Sequence, residues 1–374
     1  MNFPLSDYLL PVETLPEDIC GDRCCLGWNI LRRNPDSDEL PAGVTIAFAG
    51  IPEDRGSDIP GAAAAVEEIR SELYRLCAPE WNGTLMDLGN LRKGASLEDT
   101  YTGLRDLTDY LRGEQIVLLL AGGSSDLLHA TIPNLPKGCP PVRVTTLAPG
   151  IGMGTHPLTG SLSPLMRRVS TGNILLHNLG HQACFTPADV WDNLHTSKGD
   201  SLRLGRIRTD MLLAEPILRD SRITGITMDA VRSSDAPASA HPSPNGLYAE
   251  EICQLASFAG NATHCQVFGV FDATCNLATS QMAAQILWYF VDGFSRRVQE
   301  DPALDPGQFV RYLIPLQGYD QTLTFYKSRK TDRYWMEAYC DGDSLPNILA
   351  CTQADYQTAC SGELPDRWMR SVQA

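Results

Sequence analysis

The chain has 374 residues, 43% hydrophobic and 20% charged, which is enough to bury one large α/β core and is the composition of a folded protein. With 45 acidic against 30 basic residues the net charge is −15, so a nucleic acid or an anionic membrane surface would meet broad repulsion. The longest apolar strip, Ile116 to Ala121, is far too short to span a bilayer. Met1 to Asp7 carries neither a basic region nor an apolar run, so no export signal is expected and the reducing cytoplasm is the expected compartment. The 12 cysteines are then expected to be mainly free thiols. Cys20, Cys24 and Cys25 form the one tight cluster and read as structural, because no second pair stands at zinc-site spacing.

Residues 1–42 are acidic and weakly periodic and read as an N-terminal extension packing on a main domain over 43–305. Val44 to Ala49 is a strand between glycines, and Val66, Ile69 and Leu73 at helical spacing predict a helix over 61–76. Strands are predicted at 84–88, 116–121, 142–147, 174–177, 223–228 and 266–271, with helices at 97–111, 209–218, 248–258 and 280–298. Such alternation implies parallel strands joined by right-handed crossovers, an α/β protein of three layers, α/β/α, around a mostly parallel central sheet. After about 306 the pattern changes to short strands at 309–314 and 322–326, with Tyr334 to Glu337 returning as a hairpin arm. The 306–374 segment is therefore a C-terminal extension. It reads either as a plain appendage or as a protein-docking module anchored by Tyr334, Trp335 and Met336. Its basic run, Lys327 to Arg333, fits a solvated hairpin tip better than an anion site.

Two apolar strands end in acidic or small residues: Ile226-Thr227-Met228-Asp229, and Ile116 to Ala121 running into Gly122-Gly123-Ser124-Ser125-Asp126. Parallel α/β proteins build sites at such carboxyl ends. Asp126, Asp229, Asp235 and Asp272 either converge there on something cationic, or cap helices and pair with Arg232. Asp126 stands where it would cap a helix beginning at Leu127. His177 and His181 have the spacing of a metal pair on a helix, but Asn178-Leu179-Gly180 between them predicts a loop. Gly122 to Ser125 lacks the lysine of a phosphate-binding loop, and no nucleophile elbow surrounds Ser124 and Ser125 near His129.

Gly50-Ile51-Pro52 with Asp54-Arg55-Gly56, Gly61-Ala62-Ala63 with Ile69-Arg70, Gly122-Gly123, Asp229, and Pro242-Ser243-Pro244-Asn245-Gly246-Leu247 together resemble the ureohydrolase superfamily of arginases, agmatinases and formimidoylglutamases. Ser234-Asp235-Ala236-Pro237, Gln285 to Phe290 and the C-terminal segments Phe325 to Ser328, Asp332 to Glu337 and Tyr356 to Cys360 are similar to a bacterial formimidoylglutamase-like subgroup.

The resemblance implies an arginase-like fold, a homo-oligomer and a site for two manganese ions held by four aspartates and two histidines. Two dications need that many anionic oxygen donors to offset their repulsion and to activate a bridging hydroxide. The matching positions here are Ser125, Ala148, Gly150, Gly152, Thr227 and Asp229, of which only Asp229 keeps a ligand side chain. Asp272 stands at the family's substrate-side glutamate. No metal cofactor is therefore expected, and no catalytic residue is assigned. The leading expectation is a pseudoenzyme with a ligand-binding, regulatory or assembly role, whose cleft (Ser125, Asp126, Asp229, Asp235, Asn245, Asp272) takes a small guanidino or amidine ligand. The alternative is a manganese-dependent hydrolase of a C–N bond in a linear amidine such as formimidoylglutamate.

Overall fold

Ten strands form one sheet in the computed structural model, which describes residues 3–12, 22–57, 60–136, 139–151, 162–186, 190, 192, 194, 199, 201–316, 322–338 and 347–372. In chain order they are β1 (Leu9–Leu10), β2 (Leu31–Arg32), β3 (Val44–Ile51), β4 (Thr84–Leu91), β5 (Val117–Gly122), β6 (Val142–Leu147), β7 (Ile174–His181), β8 (Ser201–Arg203), β9 (Ile223–Thr227) and β10 (Val267–Phe271). Their spatial order is β1-β4-β3-β5-β10-β9-β6-β7-β8, with β2 also on β4. Only β1 is antiparallel.

A parallel sheet survives only when both faces are covered, and its central strands read as near-continuous apolar runs for that reason. All six residues of β5 are buried. Alternate side chains of β3 enter opposite cores: Ile46 and Phe48 meet the helices Ala65–Arg75, Ala249–Gly260 and Leu277–Ser295, whereas Ala47, Ala49 and Ile51 meet Leu97–Gly113 and Ser163–Ser170. The expected three-layer α/β/α arrangement is what forms.

Three sequence readings change. The 1–42 segment does more than pack on the domain, since β1 and β2 extend the sheet and Leu5 and Leu9 are wholly buried. The predicted 209–218 helix is interrupted: one helix ends at Thr209, a 3-10 turn covers Met211–Leu213, and a second helix spans Glu215–Asp220. Asp210 causes the break by accepting the Leu212 N–H at 3.0 Å, and Pro216 suits the first turn of the next helix. Finally, the strand from Ile174 runs through to His181 rather than looping after His177.

The C-terminal region forms an antiparallel sheet of four strands, β11 (Phe309–Pro315), β12 (Thr322–Ser328), β13 (Tyr334–Ala338) and β14 (Asn347–Cys351), in sequential order. Tyr334, Trp335 and Met336 are buried in it, so they cannot serve as exposed anchors for a partner. The basic run caps the β12–β13 hairpin and is paired within the chain, Lys327 with Asp332 at 2.8 Å and Arg333 with Glu215 at 3.5 Å.

Arg219 fastens this sheet to the body. Its Nη2 donates to the carbonyls of Tyr334 (2.9 Å) and Cys351 (3.1 Å), and its guanidinium lies 4.3 Å from the Trp335 ring centroid. Asp220 beside it accepts from the Ala350 N–H and from Arg367 Nη2 at 2.7 Å. Hydrogen bonds from a charged donor contribute about 1.5–3 kcal/mol each. Arg219→Ala is therefore expected to loosen β11–β14 by about 2 kcal/mol or more. Limited proteolysis should then cut within 309–351 at least tenfold faster than in the parent, while an unchanged rate would remove Arg219 from this role. Among the described residues no helix is long and apolar enough to cross a membrane.

Candidate functional site: a carboxylate cluster at the sheet edge

Strands β3, β5, β10 and β9 are neighbours, so their carboxyl ends bring Glu53, Asp126, Asp272 and Asp229 to one edge. Asp272 follows β10 with φ 62°, a left-handed conformation that aspartate adopts more readily than most residues. The turn aims its Oδ1 at the Ser125 N–H, 2.8 Å away, while its own N–H donates to the Gly123 carbonyl at 2.8 Å. Gly123 approaches the Glu53 carbonyl so closely that a Cβ would lie 1.9 Å from it. That close packing locks the β3 and β5 ends together.

Asp126 is 1% exposed. It does not cap the 3-10 turn Ser125–Thr131 as expected; its Oδ2 instead accepts from the Tyr101 hydroxyl. Gly56 passes beside that oxygen, where a Cβ would stand 1.9 Å away. The other oxygen, Oδ1, is buried and has no hydrogen-bond partner among the described residues. Burial pushes the Asp126 carboxyl up to about 6, against the Tyr101 hydrogen bond.

Asp229 leaves β9 on the short turn Met228–Ala230. Its Oδ1 accepts the His241 N–H at 2.6 Å and its Oδ2 meets His241 Nδ1 at 3.0 Å. The Asp229 hydrogen bond raises the His241 pKa, with burial opposing. Asp272 carries the largest shift of the cluster, raised to about 8 by burial and then by the charge of Asp229. Glu53 behaves oppositely. Desolvation raises it, but hydrogen bonds from Arg55 and Thr100 and the charge of Lys93 outweigh that and hold it at about 2.

The other predicted residues lie elsewhere. Asp235 pairs with Arg232 at 2.9 Å and accepts the Ala249 N–H at 3.0 Å, capping the Ala249–Gly260 helix as its structural reading expects. Asn245 exchanges hydrogen bonds with Gln182 near the end of β7, at 2.7 and 2.9 Å. Ser125 joins the cluster through its backbone N–H. Thr227 Oγ1 donates to the Leu147 carbonyl at 3.4 Å. Ala148 and Gly150 follow β6 without a donor side chain, and Gly152 lies outside the described residues, as does Cys20.

The cluster does not fit two manganese ions. Of the described positions that match metal ligands, only Asp229 has an anionic donor, and both of its oxygens already serve His241. Among the described residues the one set of three potential ligand atoms lying within 4.8 Å of one another is Asp22, Cys24 and Cys25, far from this edge in the sequence. His177 and His181 do not rebuild a site, because they occupy one strand, where four residues span about 13 Å. The Gly122–Ser125 turn is no anion cradle either: the N–H groups of Gly123, Ser124 and Ser125 are taken by Ile51, Glu53 and Asp272. His129 Nδ1 contacts the Asp126 carbonyl at 2.5 Å and its ring packs edge-on to Tyr101, so it does not activate a serine.

Glu53, Tyr101 and His241 escaped sequence reasoning. Glu53 ends a strand just as Asp229 does and was open to the same rule. Tyr101 lies on a helix, and His241 follows Asp229 by 12 residues of loop, so neither has a spacing signal.

No sequence-family model and no curated protein matches the chain. Solved structures do. Trypanosoma cruzi formiminoglutamase with manganese matches at 17% identity with a TM-score of 0.61, over 68% of this chain and 95% of that one. Bacillus subtilis formimidoylglutamase matches at 17% identity and TM-score 0.63, over 74% and 94%. The agmatine ureohydrolase of Thermoplasma volcanium matches at 18% and 0.56, over 67% and 90%. At such identities the likeness is one of fold, and the fold is the arginase-like one.

Proposed function

We propose that this arginase-fold chain binds a small cationic amidine or guanidinium compound in its carboxylate cluster, and is a pseudoenzyme with respect to two-metal hydrolysis. The observation that carries the reading is the buried Asp126 Oδ1, without a partner among the described residues, in a cluster with Asp272 and Asp229. A buried acceptor left unmade costs about 1–3 kcal/mol, and a planar N–H-bearing cation is the ligand that would satisfy it while relieving the repulsion among three acids. A homo-oligomeric assembly belongs to the same proposal and rests on the motif resemblance.

Two measurements test it. After incubation with excess manganese and desalting, less than one ion per chain should remain; about two retained ions would overturn the reading and favour hydrolysis of a linear amidine. Calorimetric titration with agmatine and with guanidinium should give saturable binding that Asp126→Asn weakens at least tenfold. Absence of binding by both cations would end the ligand proposal.

A further inference from the structure

A second cluster lies away from the sheet edge, where the segment preceding β2 meets the end of the Ala65–Arg75 helix. Cys25 and Cys77, 52 positions apart, face each other as an isolated antiparallel bridge. The flanking hydrogen bonds are Leu26 N–H to the Leu76 carbonyl (2.7 Å) and Ala78 N–H to the Cys24 carbonyl (2.8 Å). That pattern makes Cys25 and Cys77 a non-hydrogen-bonded pair, whose Cβ atoms stand about 5 Å apart on one side. The Asp22 carboxylate accepts the Cys24 N–H at 3.0 Å, and Asn29 Nδ2 holds the Arg23 and Cys25 carbonyls at 3.0 and 2.8 Å. Trp288 Nε1 donates to the Cys77 carbonyl at 2.5 Å. The backbone of the whole group is thus fixed while its thiols remain free of disulfides.

One carboxylate oxygen and the Sγ atoms of Cys24 and Cys25 lie within 4.8 Å of one another. A tetrahedral ion with metal–sulfur bonds of about 2.3 Å needs donors about 3.8 Å apart, a small side-chain rotation away. Cys77 is exposed, and a change of side-chain rotamer would bring its sulfur to the fourth corner.

We propose that Asp22, Cys24, Cys25 and Cys77 form a zinc-class thiolate site that clips the N-terminal segment to the end of the Ala65–Arg75 helix. On binding, three thiols release their protons to solvent and three thiolates and the carboxylate bond the dication. A bound dication holds such sulfurs as thiolates. A Cys25–Cys77 disulfide would use two of these sulfurs and exclude the ion. The sequence offered no paired motif because the fourth donor comes from a distant segment.

The test uses the reduced full-length chain and cobalt(II) as probe. One equivalent should produce thiolate-to-cobalt charge-transfer absorption, and zinc should displace it. Cys24→Ser/Cys25→Ser should abolish the absorption, and Cys77→Ser should lower it by about a third, as one of three thiolates is lost. Cys24 and Cys77 are exposed and serine can keep the bond from half-buried Cys25 to the Arg75 carbonyl, so the melting curve of the metal-free protein should be unchanged. No absorption, absorption that survives the double substitution, or an undiminished band in Cys77→Ser would each overturn the site. So would recovery of a Cys25–Cys77 disulfide from a protein that takes up no cobalt when reduced.

Discussion

Arg70→Met is expected to destabilise the protein by roughly 3–5 kcal/mol, the cost of leaving a buried charge unpaired. Arg70 and Asp87 are both fully buried, with Nε 2.9 Å from Oδ2. The guanidinium also reaches Glu67 (2.6 Å), the Gly89 carbonyl (3.1 Å) and Asn90 (2.7 Å). Asp87 in turn accepts from the Tyr74 hydroxyl at 2.8 Å and the Gly89 N–H at 2.7 Å. Burial drives the Asp87 carboxyl upward and the Arg70 charge is the main force against it. Methionine keeps much of the bulk and removes the charge, so Asp87 must either protonate or distort its surroundings. Adding Asp87→Asn should recover part of the loss, because no buried charge then remains. A urea-unfolding double-mutant cycle reads this directly. A single-variant cost below about 1 kcal/mol would show that the pair is not holding the Ala65–Arg75 helix to β4.

Asp272→Asn is expected to stabilise the fold at neutral and alkaline pH. The wild-type carboxyl is raised from its ordinary value to about 8. Its contribution to stability is therefore fully present below the unfolded carboxylate range, near pH 4, and is lost as pH rises through about 8, because the unfolded chain releases the proton first. His241 and Asp126 are shifted upward as well and act in the same direction over that window. Asparagine tolerates the left-handed backbone, keeps an acceptor for the Ser125 N–H and cannot ionise. The gain near pH 8 should be on the order of 2 kcal/mol and should shrink towards pH 5. Urea midpoints from about pH 5 to 9 should fall with pH in the wild type and fall less in the variant. A flat wild-type profile would mean that Asp272 is ionised at neutral pH, and the electrostatic picture of the cluster would have to be abandoned.

Periodicity carries far in this chain because a parallel sheet imposes it. Strands buried on both faces must be apolar throughout, and the helices covering them must present one apolar stripe, so β3, β5, β6, β9 and β10 were readable from composition alone. Asp229 and Asp126 were readable as site candidates because a carboxylate just after such a strand has few structural reasons to be there. The residue types at the positions that the resemblance matches to metal ligands were equally plain, since donor chemistry is written in residue type.

Pairing is what the linear order could not express. Whether Asp235 joins the cluster or serves Arg232 depends on a loop path, and so does the arrival of His241 at Asp229. Strand order across the sheet, which sets β10 between β5 and β9, decides that Asp272 feels both Asp229 and Asp126. Residue types along the chain thus determined the layers of this protein and which side chains stand at the carboxyl ends of its strands. Tertiary structure alone decided which charges meet and which thiols face one another, because electrostatic and coordination energies depend on distances of a few ångströms that only the folded chain defines.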